Sequence, residues 1–490
     1  MREVFLVSGN QHVQAPPASA AINMSERPAV AAAALAVVGS VALIVAPSAA
    51  LSAWSMLLLV AAFALQPAFG LALLGLTLPF YLIPKSFGSM SFPMPELLLI
   101  STVAGVTVRG VWMRVRGIKI SVGRLATPFD LPMVLFLAAA LLSLLASEVM
   151  RVSLRDLRTL ILEPVAAFYL TVWTVRRPEH IKLLLAGLLL GGIAAAVMGL
   201  SQYFFTDHVI TAEGARRVLG PYSSPNELGL YLGRAIPLTL GFAIFAPGYR
   251  PFAWAALLPL TAALILTFSL GAWLATLLAV AGIVLLWRSR AVVYLATAAV
   301  ALAAASMLAI RSDRIASHFS LTHGTSFIRI QLWESSLQMI RDHPILGVGM
   351  DNFLYLYRSR YILPDAVAEP NLSHPHNLVL NFWLQMGILG LAAILWILFE
   401  LARRWLSLWK SKLAPWERAA LAGIAGAMID MVAHGMVDNS YFLVDLAFFF
   451  WLAVGIITVL QGRSIAEGSP SVQANRLSDA SPLHESGRIE

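Results

Sequence analysis

Fourteen stretches of this chain are apolar and close to the length of a membrane span, and that repetition limits the fold more than any other feature. A spanning helix needs about 20 mostly apolar residues to cross a hydrocarbon core of about 30 Å. The runs are 29–46, 50–65, 68–84, 95–112, 129–147, 160–175, 183–204, 226–246, 252–269, 271–287, 291–310, 377–399, 419–436 and 441–460. Composition agrees, with 59% hydrophobic and 12% charged residues, where soluble domains carry about 25% charged. The expected fold class is all-α: a polytopic membrane helical bundle with 12–14 transmembrane helices and one large extracytoplasmic loop containing short helices. The range allows for the short, closely spaced first three runs and for the break at Ser269-Leu270-Gly271, which is barely a turn.

Loop charge gives the orientation. With the N-terminus inside, the inside loops collect sixteen Lys and Arg, among them Arg109, Arg176, Arg250, Arg288 and Arg418. The short outside loops collect six: Lys85, Arg151, Arg155, Arg158, Arg216 and Arg217. Excess basic residues mark the cytoplasmic side, so the formal charge of +8 is a topology signal and does not require a nucleic-acid partner. The expected organisation is a cytoplasmic polar tail (1–28), an N-terminal transmembrane bundle (29–310), a large periplasmic loop (311–376), C-terminal transmembrane helices (377–460) and a disordered cytoplasmic tail (461–490).

The chain has no Cys, which excludes disulfides, thiol catalysis and Cys-ligated zinc. No Walker loop, dinucleotide fingerprint or zinc-protease helix is present. The outside insert is the polar exception in an apolar chain. Within it, 327–341 reads as a helix with Ile328, Leu332, Ser335 and Met339 on one stripe. Pro344 ends it, and Gly347 and Gly349 allow a tight turn. Tyr355, Tyr357 and Tyr361 are candidates to stack on sugar rings.

His374-Pro375-His376-Asn377 closes the insert directly ahead of an apolar run. A neutral imidazole can take a proton from a hydroxyl; it can also simply cap the helix that begins near Asn377. Two His two residues apart leave a metal open, but the nearest carboxylates in sequence, Asp351, Asp365 and Glu369, have no ligand spacing. Arg216 and Arg217 precede a Gly-Pro-Pro-Asn loop that includes Asn226, and Arg329 opens the insert helix. Guanidinium forks suit diphosphate oxygens, although arginines at a membrane edge also snorkel to lipid phosphates. Arg234, Asp430, His434 and Asp438 lie in or near spans, where ionisable groups face a cavity or one another.

Three blocks in this order resemble the O-antigen ligase and polymerase superfamily of bacterial envelope polysaccharide enzymes. They are Arg217-Val218-Leu219-Gly220 with Pro225-Asn226; Arg329 through Trp333 with Asp342-His343-Pro344-Ile345-Leu346-Gly347-Val348-Gly349; and His374-Pro375-His376-Asn377 with Gln385-Met386-Gly387. The resemblance covers roughly 200–440. One departure is that Ser269-Leu270-Gly271 stands where the family often has Ser-Arg-Gly, so any role of that Arg is absent or moved.

The resemblance implies a glycan donor linked to a polyprenyl diphosphate, a lipid or sugar hydroxyl as acceptor, and no nucleotide or metal cofactor. It implies that His376 activates the acceptor, with His374 as second candidate, and that Arg217 and Arg329, joined by Arg216, hold the diphosphate. Asn226, Asn377, Asp438 and Arg234 are supporting residues. The implied enzyme is an inverting membrane glycosyltransferase in the bacterial cytoplasmic membrane, with its site on the outer face. A polymerase using the same donor site is the near alternative, and a polysaccharide transporter or flippase the more distant one. A transporter gathers broken helices and charges at the midplane, whereas the notable polar groups here gather in one outside loop.

Overall fold

The computed structural model describes residues 18–87, 90–118, 126–212, 215–287 and 324–467. The protein is an all-α polytopic bundle. Thirteen of the fourteen apolar runs fall on helices. The fourteenth, 291–310, lies outside the described residues, as does 311–323 of the insert. Seven of the described helices are long and apolar enough to cross a membrane by length and composition, and four shorter apolar helices accompany them. Large apolar side chains such as Trp54, Leu145 and Phe252 point outward at 65%, 78% and 76% exposure, a surface suited to lipid rather than water.

The helices divide by burial. In Pro225–Phe245, 94% of the apolar window is buried, against 22% in Pro28–Val45. A helix buried on all sides is the centre of a bundle. Pro225–Phe245 packs against Pro415–Gly435, Arg250–Leu266 and Leu270–Trp287. Val444–Glu467 forms a second buried axis, where Trp451 packs on Phe136, Phe168 and Phe450.

Two features depart from the sequence reading. The described residues contain two short antiparallel hairpins, Pro84–Phe87 with Met90–Pro93 and Ile210–Ala212 with Ala215–Arg217. Arg216 and Arg217 therefore lie on a strand, not in an irregular loop. The helical segments at both ends also run further than the apolar pattern, from Ala18 and to Glu467.

The insert helix runs Gly324–Asp342 and buries Leu332, Ser335, Ser336, Met339 and Ile340, the stripe expected. Its C-terminal turn docks on a kink in the long helix Leu378–Trp409. Gly387 breaks that helix at φ 67°, ψ −172°, a region open essentially to glycine alone. A Cβ there would overlap the Ile345 carbonyl, and one on Gly347 would overlap the Leu384 carbonyl. The two backbones touch because neither has a side chain. Val348 N donates to Leu384 O at 2.7 Å, Ile388 N to Pro344 O at 3.3 Å, and Trp383 Nε1 to Pro344 O at 2.9 Å. Gly347 and Gly387, one from each motif, thus form one joint, and it fixes the insert on the bundle.

Candidate functional site

Three segments converge at one end of the bundle: the turn after Pro415–Gly435, the His374–Asn377 segment, and the start of the insert helix. Asn377 caps Leu378–Trp409 by accepting from Val379 N and Leu380 N, both at 3.1 Å. Its Nδ2 donates to Met436 O at 3.2 Å. Capping therefore falls to Asn377, which releases both histidines from that role. His376, at φ 49°, turns its Nδ1 to within 2.9 Å of Asp438 Oδ1. Asn439 N donates to the same oxygen at 2.8 Å. An ionised carboxylate can only accept, so Nδ1 carries the proton and Nε2 keeps its lone pair.

His374 packs beside His376, with ring centroids 4.2 Å apart. Its Nδ1 is 3.0 Å from Ser373 Oγ and its Nε2 is 3.9 Å from Asp438 Oδ1, too long for a hydrogen bond. That Nε2 is buried without a hydrogen-bond partner. Burial, then the neighbouring His376, push the His374 imidazole below its ordinary value against the opposing pull of Asp438. Burial works to raise the Asp438 carboxyl, but the imidazoles of His374 and His376 outweigh it and hold it well below the usual carboxylate range. One ligand atom from each of His374, His376 and Asp438 lies within 4.8 Å of the others, so these three could hold a metal ion.

The turn that carries Asp438 is fixed from behind. Arg234, 1% exposed, donates to the Leu230 carbonyl and to Ser440 Oγ at 2.7 Å, and pairs with Asp430 at 3.7 Å. Leaving a buried charge without its partner costs several kcal/mol, so this pair pins the turn. Asn439, Asn381 and Gln385 continue the support. Asn381 Nδ2 donates to Asn439 Oδ1 at 3.1 Å, Gln385 Nε2 to Asn381 Oδ1 at 3.2 Å, and Asp351 N to Gln385 Oε1 at 3.1 Å. His434, fully buried, stands 4.0 Å from Asp438 Oδ2. Asn381 and Asn439 had no part in the sequence expectations, Gln385 entered only as part of a motif, and His434 had no site role. The signals for His434 were its place as an ionisable group inside a span and its spacing of four from Asp438.

Beside this pair is a cavity of about 210 Å³ whose wall includes Arg217, Asn226, Arg329, Leu270 and Asp438. Arg217 Nε donates to Thr267 O at 2.7 Å and its Nη2 to Asn226 Oδ1 at 2.9 Å, which fixes the guanidinium against the wall. Leu270 stands on that wall where the resemblance led one to look for an arginine, and Arg329 brings a cation in from the insert helix. The same helix holds the histidine segment, since Trp333 Nε1 donates to Pro375 O at 3.0 Å.

Not every candidate arrives here. Arg216 donates to Thr206 O at 3.2 Å, lies 3.8 Å from Asp207 and stacks over Tyr203, away from the cavity wall. Successive strand residues point to opposite faces, which separates it from Arg217. Tyr357 is fully buried and stacked on Phe353 at 5.5 Å, so it has no face for a sugar. Tyr361 donates to Asp342 Oδ2 at 2.8 Å. Asp351 binds Arg155 rather than either histidine.

Together these features define a multi-pass membrane protein with an imidazole–carboxylate pair beside an arginine-walled cavity. Residues 255–395 match the family described as O-antigen ligase. The O-antigen ligase of Salmonella typhimurium (strain LT2) is 29% identical over 142 residues, which is 28% of this chain and 30% of that protein. The chain thus aligns with less than a third of the length of that relative. Over 255–395 the chain is therefore similar to the O-antigen ligase family. Arg329, His374 and His376 fall inside 255–395; Arg217 and Asp438 fall outside it and join them only through the fold.

Proposed function

We propose that this chain is a membrane glycosyltransferase of the O-antigen ligase type. It moves a glycan from a polyprenyl diphosphate donor to a lipid or sugar hydroxyl, on the outer face of the bacterial cytoplasmic membrane. The observation that carries this reading is the His376–Asp438 pair at 2.9 Å next to a cavity walled by Arg217, Arg329 and Asp438.

His376 Nε2 accepts the proton of the acceptor hydroxyl as its oxygen attacks the anomeric carbon. Asp438 holds the ring and stabilises the imidazolium that forms. The bond from the anomeric carbon to the diphosphate oxygen breaks, and the diphosphate leaves as an anion toward Arg217 and Arg329. Fixed cations aimed at charge as it develops are an effective form of transition-state stabilisation. Attack opposite the leaving group inverts the anomeric centre. Arg234 and Asn377 act at one remove, as positioning residues.

The test is transfer by purified protein in vesicles supplied with a polyprenyl diphosphate glycan and a hydroxyl acceptor. His376→Ala should lower the rate by about 10²–10⁴-fold, the range of general-base catalysis, with insertion unchanged. Arg217→Lys should raise the donor concentration needed, because lysine cannot reproduce a fork held at both Thr267 O and Asn226 Oδ1. Wild-type transfer by His376→Ala would end the base assignment, and movement of glycan without bond transfer would end the enzyme reading.

A further inference from the structure

We propose that His374, His376 and Asp438 form a binding site for a divalent transition-metal ion of the zinc class, and that its occupancy blocks the site. The binding claim stands on geometry alone; the blocking claim rests on His376 being the base.

The ligand set comes first. Two imidazoles and one carboxylate are a nitrogen-rich donor set that suits zinc, cobalt and nickel, whereas calcium and magnesium take oxygen ligands. Three protein ligands with a fourth position left open are the usual arrangement of an accessible zinc site. Zinc–nitrogen and zinc–oxygen bonds of about 2.0–2.1 Å place neighbouring tetrahedral ligands about 3.3 Å apart. The separations here bracket that value: His376 Nδ1 to Asp438 Oδ1 is 2.9 Å and His374 Nε2 to Asp438 Oδ1 is 3.9 Å. Small side-chain rotations close the difference.

Orientation comes second. His374 Nε2 is buried without a hydrogen-bond partner, and its Nδ1 is held at 3.0 Å by Ser373 Oγ. In the tautomer where Nδ1 donates to Ser373 Oγ, Nε2 presents its lone pair, which is the usual support for a metal-bound histidine. Asp438 lies on the cavity wall, which gives the ion an entry path and a place for a water as fourth ligand.

The consequence follows from the ring's two nitrogens. In the metal-free site Nδ1 carries the proton and Nε2 the lone pair. An ion on Nδ1 displaces the proton carried there, and that proton passes through water to Nε2 with no net change in the charge of the ring. A ring with a metal on one nitrogen and a proton on the other has nothing left with which to accept a hydroxyl proton. Transfer then stops even though the donor's cations are untouched.

The experiment has two independent readouts on full-length protein in detergent or vesicles. Co²⁺ titration should give the visible absorption of a tetrahedral nitrogen–oxygen site, displaced by Zn²⁺. His374→Gln and Asp438→Asn should each lose that absorption. Ser373→Ala should weaken binding by roughly 10–100-fold, the usual effect of removing an outer hydrogen bond. In the transfer assay Zn²⁺ should inhibit and EDTA restore the rate, with Mg²⁺ without effect. No cobalt absorption in the wild type, or absorption that survives in both ligand variants, overturns the site. Stimulation by Zn²⁺ overturns the blocking. Transfer without added metal reads the base assignment separately, through His376→Ala.

Discussion

Asp438→Asn isolates charge from shape. The asparagine amide oxygen can still accept from His376 Nδ1 and from Asn439 N, at the 2.9 and 2.8 Å seen for Oδ1. The ring should therefore keep its orientation and its tautomer. What disappears is a full negative charge facing the imidazolium that forms when His376 takes the proton. Two unit charges about 4 Å apart interact by about 4 kcal/mol at the effective dielectric of partly buried pairs. The remaining neutral hydrogen bond recovers about 1 kcal/mol. A net loss of about 3 kcal/mol corresponds to a rate about 10²-fold lower. The loss should fall on the rate at saturating donor, because Arg217 and Arg329 are left in place. Initial rates of glycan transfer in vesicles across a donor series would measure it, with thermal unfolding in detergent as the control for folding. A variant within about threefold of wild type, correctly folded, would show that the carboxylate does not act on the imidazolium. A change confined to donor affinity would show that Asp438 serves the diphosphate instead.

Two further outcomes follow from the fold. Gly387→Ala forces a side chain into a conformation that costs about 1–3 kcal/mol and into the Ile345 carbonyl, so the insert should undock; limited proteolysis within 343–349 should speed up before global unfolding changes. Acidification should act through His374. Its pKa is lower folded than unfolded, so below about pH 6.5 the unfolded chain binds the extra proton and stability falls. The stability is complete above pH 6.5, and His374→Gln should flatten the decline in melting temperature on going down from pH 7.5 to 5.5.

The bundle was legible in the sequence because each span must satisfy its own backbone and so appears as an unbroken apolar run. The insert helix was legible from Leu332, Ser335 and Met339 on one stripe, and the two-glycine turn from Gly347 and Gly349. The site was half legible. His376 and the two cavity arginines stood out as polar groups at apolar boundaries. Asp438 stood out as a supporting residue, but its pairing with His376 did not, because it lies 62 residues beyond and only the packing of Pro415–Gly435 against the bundle centre brings it back. Arg216 and Tyr357 lie away from the cavity wall for a shared reason. Sequence shows that a residue is near the right place, while strand alternation and burial decide which way its side chain points. The joint at Gly387 was visible as a motif, but its partner backbone at Ile345 was not.

Arg329 and Trp333 are four residues apart on one insert helix; the first walls the cavity and the second donates to Pro375, one residue ahead of His376. Four residues rise about 6 Å and return to nearly the same face. The helix is therefore a gauge block: one turn of backbone sets the gap between the charge awaiting the departing diphosphate and the segment that presents the base. A residue inserted between them would swing one end about 100° from the other. Donor grip and proton acceptance are machined to a common reference edge, and neither can drift without carrying the other with it.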